Sequence, residues 1–183
     1  MRWLISILIF VTAAIAPHQA SAHQRTWPGR RLAEMMPAAN KFTERSVTLS
    51  AAQIAWTEKS VGESIRTEDK TPSFYVGVDA KGRSLGVVMF VDATGENGKI
   101  ELGVAIDLAG AVAKVALFEH SESSAVASND FLGQLAGKKA ADKFKVGDDV
   151  KAPSGGGKAA QAIATATRRT LLLAMAGLRL GTK

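Results

Sequence analysis

Four runs decide the fold: Phe74-Tyr75-Val76-Gly77-Val78, Leu85-Gly86-Val87-Val88-Met89-Phe90-Val91, Ile100-Glu101-Leu102-Gly103-Val104-Ala105-Ile106 and Ala111-Val112-Ala113-Lys114-Val115-Ala116-Leu117-Phe118. All are rich in β-branched residues, and turn residues bound each one, so they read as strands. The linkers between them are Asp79-Ala80-Lys81-Gly82-Arg83, Asp92-Ala93-Thr94-Gly95-Glu96-Asn97-Gly98 and Asp107-Leu108-Ala109-Gly110. A crossover helix needs about a dozen residues, so these strands must form an antiparallel meander. That disfavours a Rossmann or other doubly wound nucleotide fold.

Working outward, Ser50 is a plausible N-cap for a helix through Ile54, Trp56 and Val61 that Gly62 ends, with those apolar side chains read as core. A shorter helix through Leu32, Met35 and Met36 stops at Pro37. The segment from 32 to 62 either covers a sheet face or docks a partner. On the C-terminal side, Ser128 or Asn129 caps a helix carrying Phe131, Leu132 and Leu135, which stops at Gly137. Last comes an Ala-rich helix running to about Met175, with Gly177 as its stop. The expected fold class is α+β, a small antiparallel sheet with helices packed at one side.

The N-terminus reads as a targeting signal. Arg2 precedes an apolar run from Trp3 to Ala16, and Ala20-Ser21-Ala22 offers the small residues of a cleavage site. The run is shorter than the roughly 20 residues that span hydrocarbon, and Pro17 ends it, so an anchor is the weaker reading. The expected organisation is a signal peptide over 1–22, an N-terminal lead-in and helical segment over 23–69, and the main domain over 70–183. Residues 23 to 31 read as a flexible basic lead-in, with the fold starting near Leu32. Cleavage removes Arg2 alone among the charged residues and lowers the net charge from +6 to +5. The expected location is the periplasm, with no transmembrane segment left after cleavage.

The chain has 183 residues, enough for one domain, and no cysteine. Disulfides, thiolate metal sites and cysteine nucleophiles are therefore excluded. Basic residues are scattered and do not interleave with aromatics, which argues against nucleic acid. The G-x-S-x-G match Gly82-Arg83-Ser84-Leu85-Gly86 falls in a turn between two expected strands and not in a strand-to-helix elbow, which weakens a serine hydrolase.

Chemistry concentrates in two places. Ser154-Gly155-Gly156-Gly157-Lys158 feeds the last helix, and the first N–H groups of a helix are unpaired and lie at the positive end of its dipole. Glycines let an anion approach them, and Lys158 adds a charge. It is not a Walker A loop, because Ala152 stands where that motif has its first Gly and Ala159 where it has Ser or Thr. A flexible glycine joint without a ligand is the competing reading. The second place is Glu119-His120-Ser121-Glu122-Ser123-Ser124, which is a solvated loop, a helix cap or a pocket wall. A minor alternative pairs His120 with His23, at the expected new N-terminus, as a copper brace.

This order of parts resembles the periplasmic FMN-binding domain family, found in flavin-carrying subunits of the sodium-pumping NADH:quinone reductase and the Rnf electron-transport complex. The resemblance covers roughly residues 70 to 176. It lies in the core strand with Gly103, Val104, Ile106 and Asp107, then His120-Ser121-Glu122-Ser123 where the family has a Glu-Thr pair, then Phe131 and Gln134, then Asp149-Val150 leading to Ser154-Gly155. The family's Ser-Gly-Ala-Thr attaches FMN through its Thr. Here Gly156 stands for the Ala and Gly157 for the Thr, so the covalent acceptor is missing. Thr165 and Thr167 lie two to three helical turns on and cannot replace it.

The resemblance implies an exported electron carrier rather than a stand-alone enzyme, with no catalytic acid or base and no metal. It implies non-covalent FMN, its phosphate held by Ser154, Gly155, Gly156, Gly157 and Lys158, with Glu122 and Ser123 lining the flavin site. The implied partner is a redox protein, a membrane-bound one included. The alternative is the same fold without a cofactor, serving as an exported partner-binding module.

Overall fold

The computed structural model describes residues 29–180; the expected signal peptide and His23 lie outside them. The described elements are α1 (Gly29–Met35), β1 (Lys41–Ser46), α2 (Ala51–Val61), β2 (Ser73–Val78), β3 (Ser84–Thr94), β4 (Lys99–Asp107), β5 (Val112–Glu119), α3 (Asn129–Leu132) and α4 (Gly157–Leu178). The strands form one antiparallel sheet in the order β1-β2-β3-β4-β5. The α+β meander is therefore as expected, with one strand more. β1, Lys-Phe-Thr-Glu-Arg-Ser, was not foreseen, because an edge strand exposed along nearly its whole length carries charges instead of an apolar alternation. It pairs residue for residue with β2, from Lys41 opposite Val78 to Ser46 opposite Ser73.

The period of two divides the strand side chains between two cores. Phe74, Val87, Met89, Val91, Ile100, Leu102, Val104, Ile106 and Val115 face α4, whose Ile163, Leu171 and Leu173 are fully buried among them. Val88, Ala105 and Ala116 point the other way, where Leu32 and Met35 of α1 and Met36 just after it cover them. α1 thus begins at Gly29 rather than near Leu32, and Arg30 and Arg31 belong to it. The long helix also runs on past its expected stop. Gly177 lies within it, and a Cβ there would come within 2.8 Å of the Phe74 ring; Arg179, at φ 55°, is the residue that ends it. The glycine was chosen by packing, not by capping.

α2 begins as read, with Ser50 and Gln53 forming a reciprocal capping box, and ends at Gly62 in the left-handed region. It is tied to α4 by Gln53, whose Nε2 donates to the Ala176 carbonyl at 2.6 Å. Trp56 is not core: it is 43% exposed, and the fully buried residue of this helix is Thr57. No helix among the described residues is long and apolar enough to cross a membrane.

Candidate functional site

The glycine loop is shaped from its own residues outward. Gly155 has φ +71°, a backbone that β-carbons disfavour. Gly156 is buried against the turn that follows β5: a Cβ on it would meet Val126 Cγ1 at 2.6 Å. The loop therefore settles on the short 3-10 turn Ser124–Ala127, where Ser123 Oγ accepts from the Ala125 N–H. Val126 and Gly156, thirty residues apart in sequence, thus meet.

α4 starts without a capping side chain, since Gly156 is its N-cap, and its first bond runs from the Ala160 N–H to the Gly156 carbonyl at 2.8 Å. The N–H groups of Gly157, Lys158 and Ala159 precede that bond and are the orphan donors of the helix. Gly157 and Lys158 are exposed, and nothing lies within 4 Å of a Cβ built on Gly157. Beside the loop is a cavity of about 320 Å³ bordered by Ala125, Ser128, Asp130, Gln134, Lys151 and Ser154.

Two residues outside the expected set build this cavity. Gln134 clamps the chain before the loop: its Oε1 accepts the Lys151 N–H at 2.7 Å and its Nε2 donates to the Lys151 carbonyl at 3.3 Å. Lys151 then stands at the cavity beside Ser154, a basic residue whose signal in the sequence was its place just before Pro153-Ser154. Ser128 caps α3 by accepting from the Phe131 N–H, which fixes the opposite wall.

Further back, Asp149 freezes the approach to the loop. Its carboxylate takes the Lys138 ammonium at 2.8 Å and the N–H groups of Lys143, Phe144 and Lys145. Burial works against its charge, but Lys138 and the backbone donors of Lys145 and Phe144 outweigh it and hold the carboxyl well below the usual carboxylate range. This holds Phe144, buried at φ +53°, in a conformation rarely taken by a bulky residue.

Glu122 is placed differently. Its Oε1 accepts the Asn97 N–H at 2.7 Å and its Oε2 the Asn97 side-chain amide at 3.3 Å, so it latches the β3–β4 turn. The structure sets Gly156 against Val126, three residues past Ser123, and commits the Glu122 carboxylate to Asn97. His120 lies near Lys99, Phe118 and Glu119, its Nδ1 buried with no hydrogen-bond partner, and His23 is outside the described residues. Among the described residues no His, Asp or Glu group is arranged to hold a metal ion.

The residues fit an anionic group better than the rest of a flavin. Orphan N–H donors, an open glycine and two lysines suit a phosphate, whereas Glu122 has its acceptor atoms occupied. Fold and site together define an α+β protein whose antiparallel meander backs a long helix with an open, uncapped start. Comparison with known proteins gives no matching family and no matching curated protein. Among solved structures, the crystal structure of Shewanella oneidensis NqrC is similar at a TM-score of 0.44 and 20% identity, over 76% of this chain and 74% of that one.

Proposed function

We propose that this chain is an exported, periplasmic FMN-binding protein that carries electrons in a redox chain, with the flavin held non-covalently. The observation that carries the reading is the uncapped start of α4 at exposed Gly157 and Lys158, a few residues past Ser154, which borders a cavity together with Lys151. The order of parts in the sequence, from the core strand through Gln134 to Ser154-Gly155, supports it. Bound FMN would supply the redox chemistry, and the protein needs no acid or base of its own. The backbone N–H groups of Gly157, Lys158 and Ala159 would bind the phosphate, Lys151 and Lys158 would neutralise it, and Gln134 would keep Lys151 in place. A missing Thr at position 157 leaves no hydroxyl for a covalent link there. A redox partner, free or membrane-bound, would take the electrons on.

A second reading, a cofactor-free partner-binding module, is favoured by the commitment of Glu122 to Asn97 and of the Ser123 hydroxyl to Ala125. Titration with FMN separates the two. Lys158→Ala should weaken FMN binding about fivefold to tenfold, as expected for one charge-assisted contact, and the loss should shrink at high salt. An affinity equal to wild type at every salt concentration would remove Lys158 from the site.

A further inference from the structure

The loop from Gly137 to Gly156, between α3 and α4, gathers basic residues that are all lysines: Lys138, Lys139, Lys143, Lys145 and Lys151, with Lys158 just beyond it. Its carboxylates are Asp142, Asp148 and Asp149, and each is engaged within the loop. Asp149 takes the Lys138 ammonium and the N–H groups of Lys143, Phe144 and Lys145. Asp148 pairs with Lys143 at 2.8 Å, and Asp142 accepts the Lys139 N–H at 2.6 Å. These bonds fold the chain back on itself. A bridge between Val146 and Val150 brings Lys145 and Lys151, one residue outside it on each side, close together, and a second bridge ties Lys139 to Ala111 beside the edge strand β5.

The remaining cations are open. Lys139, Lys145, Lys151 and Lys158 are exposed, and among the described residues their ammonium groups make no ion pair and no hydrogen bond. Asp130 is the one carboxylate bordering the cavity at Lys151. What the loop lacks narrows the occupant. Phe144 and Val150 are buried, and the exposed large apolar side chains among the described residues, Trp56 and Leu108, lie on α2 and in the β4–β5 turn. Binding to a membrane surface needs an apolar face that enters the acyl boundary, and a single-stranded nucleic acid needs aromatic platforms. The loop presents neither. Lysine ammonium groups are compact, strongly hydrated point charges that attract carboxylates without a bidentate lock. Spread along a loop, they suit several carboxylates of one protein face and give fast, salt-sensitive docking.

We propose that this loop docks a carboxylate-rich face of a partner protein, with Lys139, Lys145 and Lys151 pairing with its carboxylates. Lys139 and Lys145 have no part in the start of α4, so the proposal does not depend on a flavin being bound there.

Fluorescence anisotropy with a dye-labelled peptide of alternating Glu and Gly tests this on the purified protein. The peptide should bind at about 50 mM salt and weaken about tenfold or more at about 500 mM. The double variant Lys139→Gln, Lys145→Gln should bind at least about fivefold more weakly with an unchanged circular dichroism spectrum. Lys59→Gln, which removes a charge from α2 beside the other end of α4, should bind as wild type does. Peptide binding with this lysine dependence by a protein that takes up no FMN would sustain the proposal and remove the flavin reading. No binding by the wild type, equal affinity in the double variant, or equal binding of a peptide of alternating Arg and Gly would overturn the proposal. Capture by phosphatidylglycerol vesicles that outlasts peptide binding as salt rises would also overturn it, in favour of a membrane surface.

Discussion

Gly156 rests on Val126, so close that a β-carbon on the glycine would lie 2.6 Å from the valine Cγ1. This contact joins the turn after β5 to the start of α4. Neither Gly156 nor Val126 offers a functional group; they place the groups that do.

The three consecutive glycines should not be equivalent. Gly157→Thr meets open space and should leave the melting temperature nearly unchanged, whereas Gly155→Thr forces a β-branched residue to φ +71° and should cost about 1–2 kcal/mol. Thermal unfolding of the two variants checks the order. Co-expression of Gly157→Thr with a flavin transferase then reads the site itself, since labelling requires the introduced hydroxyl to sit where the family's acceptor does.

Glu122 gives a sharper distinction. Because its carboxylate holds Asn97, Glu122→Ala should lower stability by about 1 kcal/mol, the value of a charged hydrogen bond at a partly exposed site. FMN affinity, measured by fluorescence quenching, should stay within about twofold of wild type. A large loss of affinity with unchanged stability would instead put Glu122 on the flavin.

Asp149 predicts an acid dependence. Its carboxyl is held low in the folded state, so its contribution is complete above the unfolded value of about 4 and is lost as pH falls from there through the folded value. Asp149→Asn should therefore destabilise by about 2 kcal/mol at pH 7. The gap between variant and wild type should narrow as pH falls below about 4, because the unfolded carboxyl takes up a proton there while the folded one, held low, does not. Denaturant unfolding across this range measures the difference.

The parts of the fold that depend on local pattern were legible from the residues. Runs such as Val87 to Val91 announce strands, and Ser50 announces a helix start, since each signal is carried by neighbours in sequence. What escaped depends on distant partners. β1 is an edge strand whose identity comes from pairing with β2, not from its own polar residues. Trp56 looks like core by spacing and is left outside by the way α2 leans on α4. Gly177 looks like a stop, yet its role is to admit the Phe74 ring. At the site, the glycine loop and Lys158 could be read directly. Lys151 and Gln134 could not be placed, because the clamp joins residues 17 apart across a loop. The Glu122 partner, Asn97, lies 25 residues away in a hairpin turn.

The most direct test of the flavin reading is the absorption spectrum of the protein purified from its exported form, repeated on supernatant and pellet after acid precipitation. The account predicts flavin bands that move wholly to the supernatant, and stoichiometric uptake when FMN is added to protein that has lost it. Colour retained in the pellet would contradict non-covalent binding, and a colourless protein that takes up no added FMN would contradict a flavin role altogether.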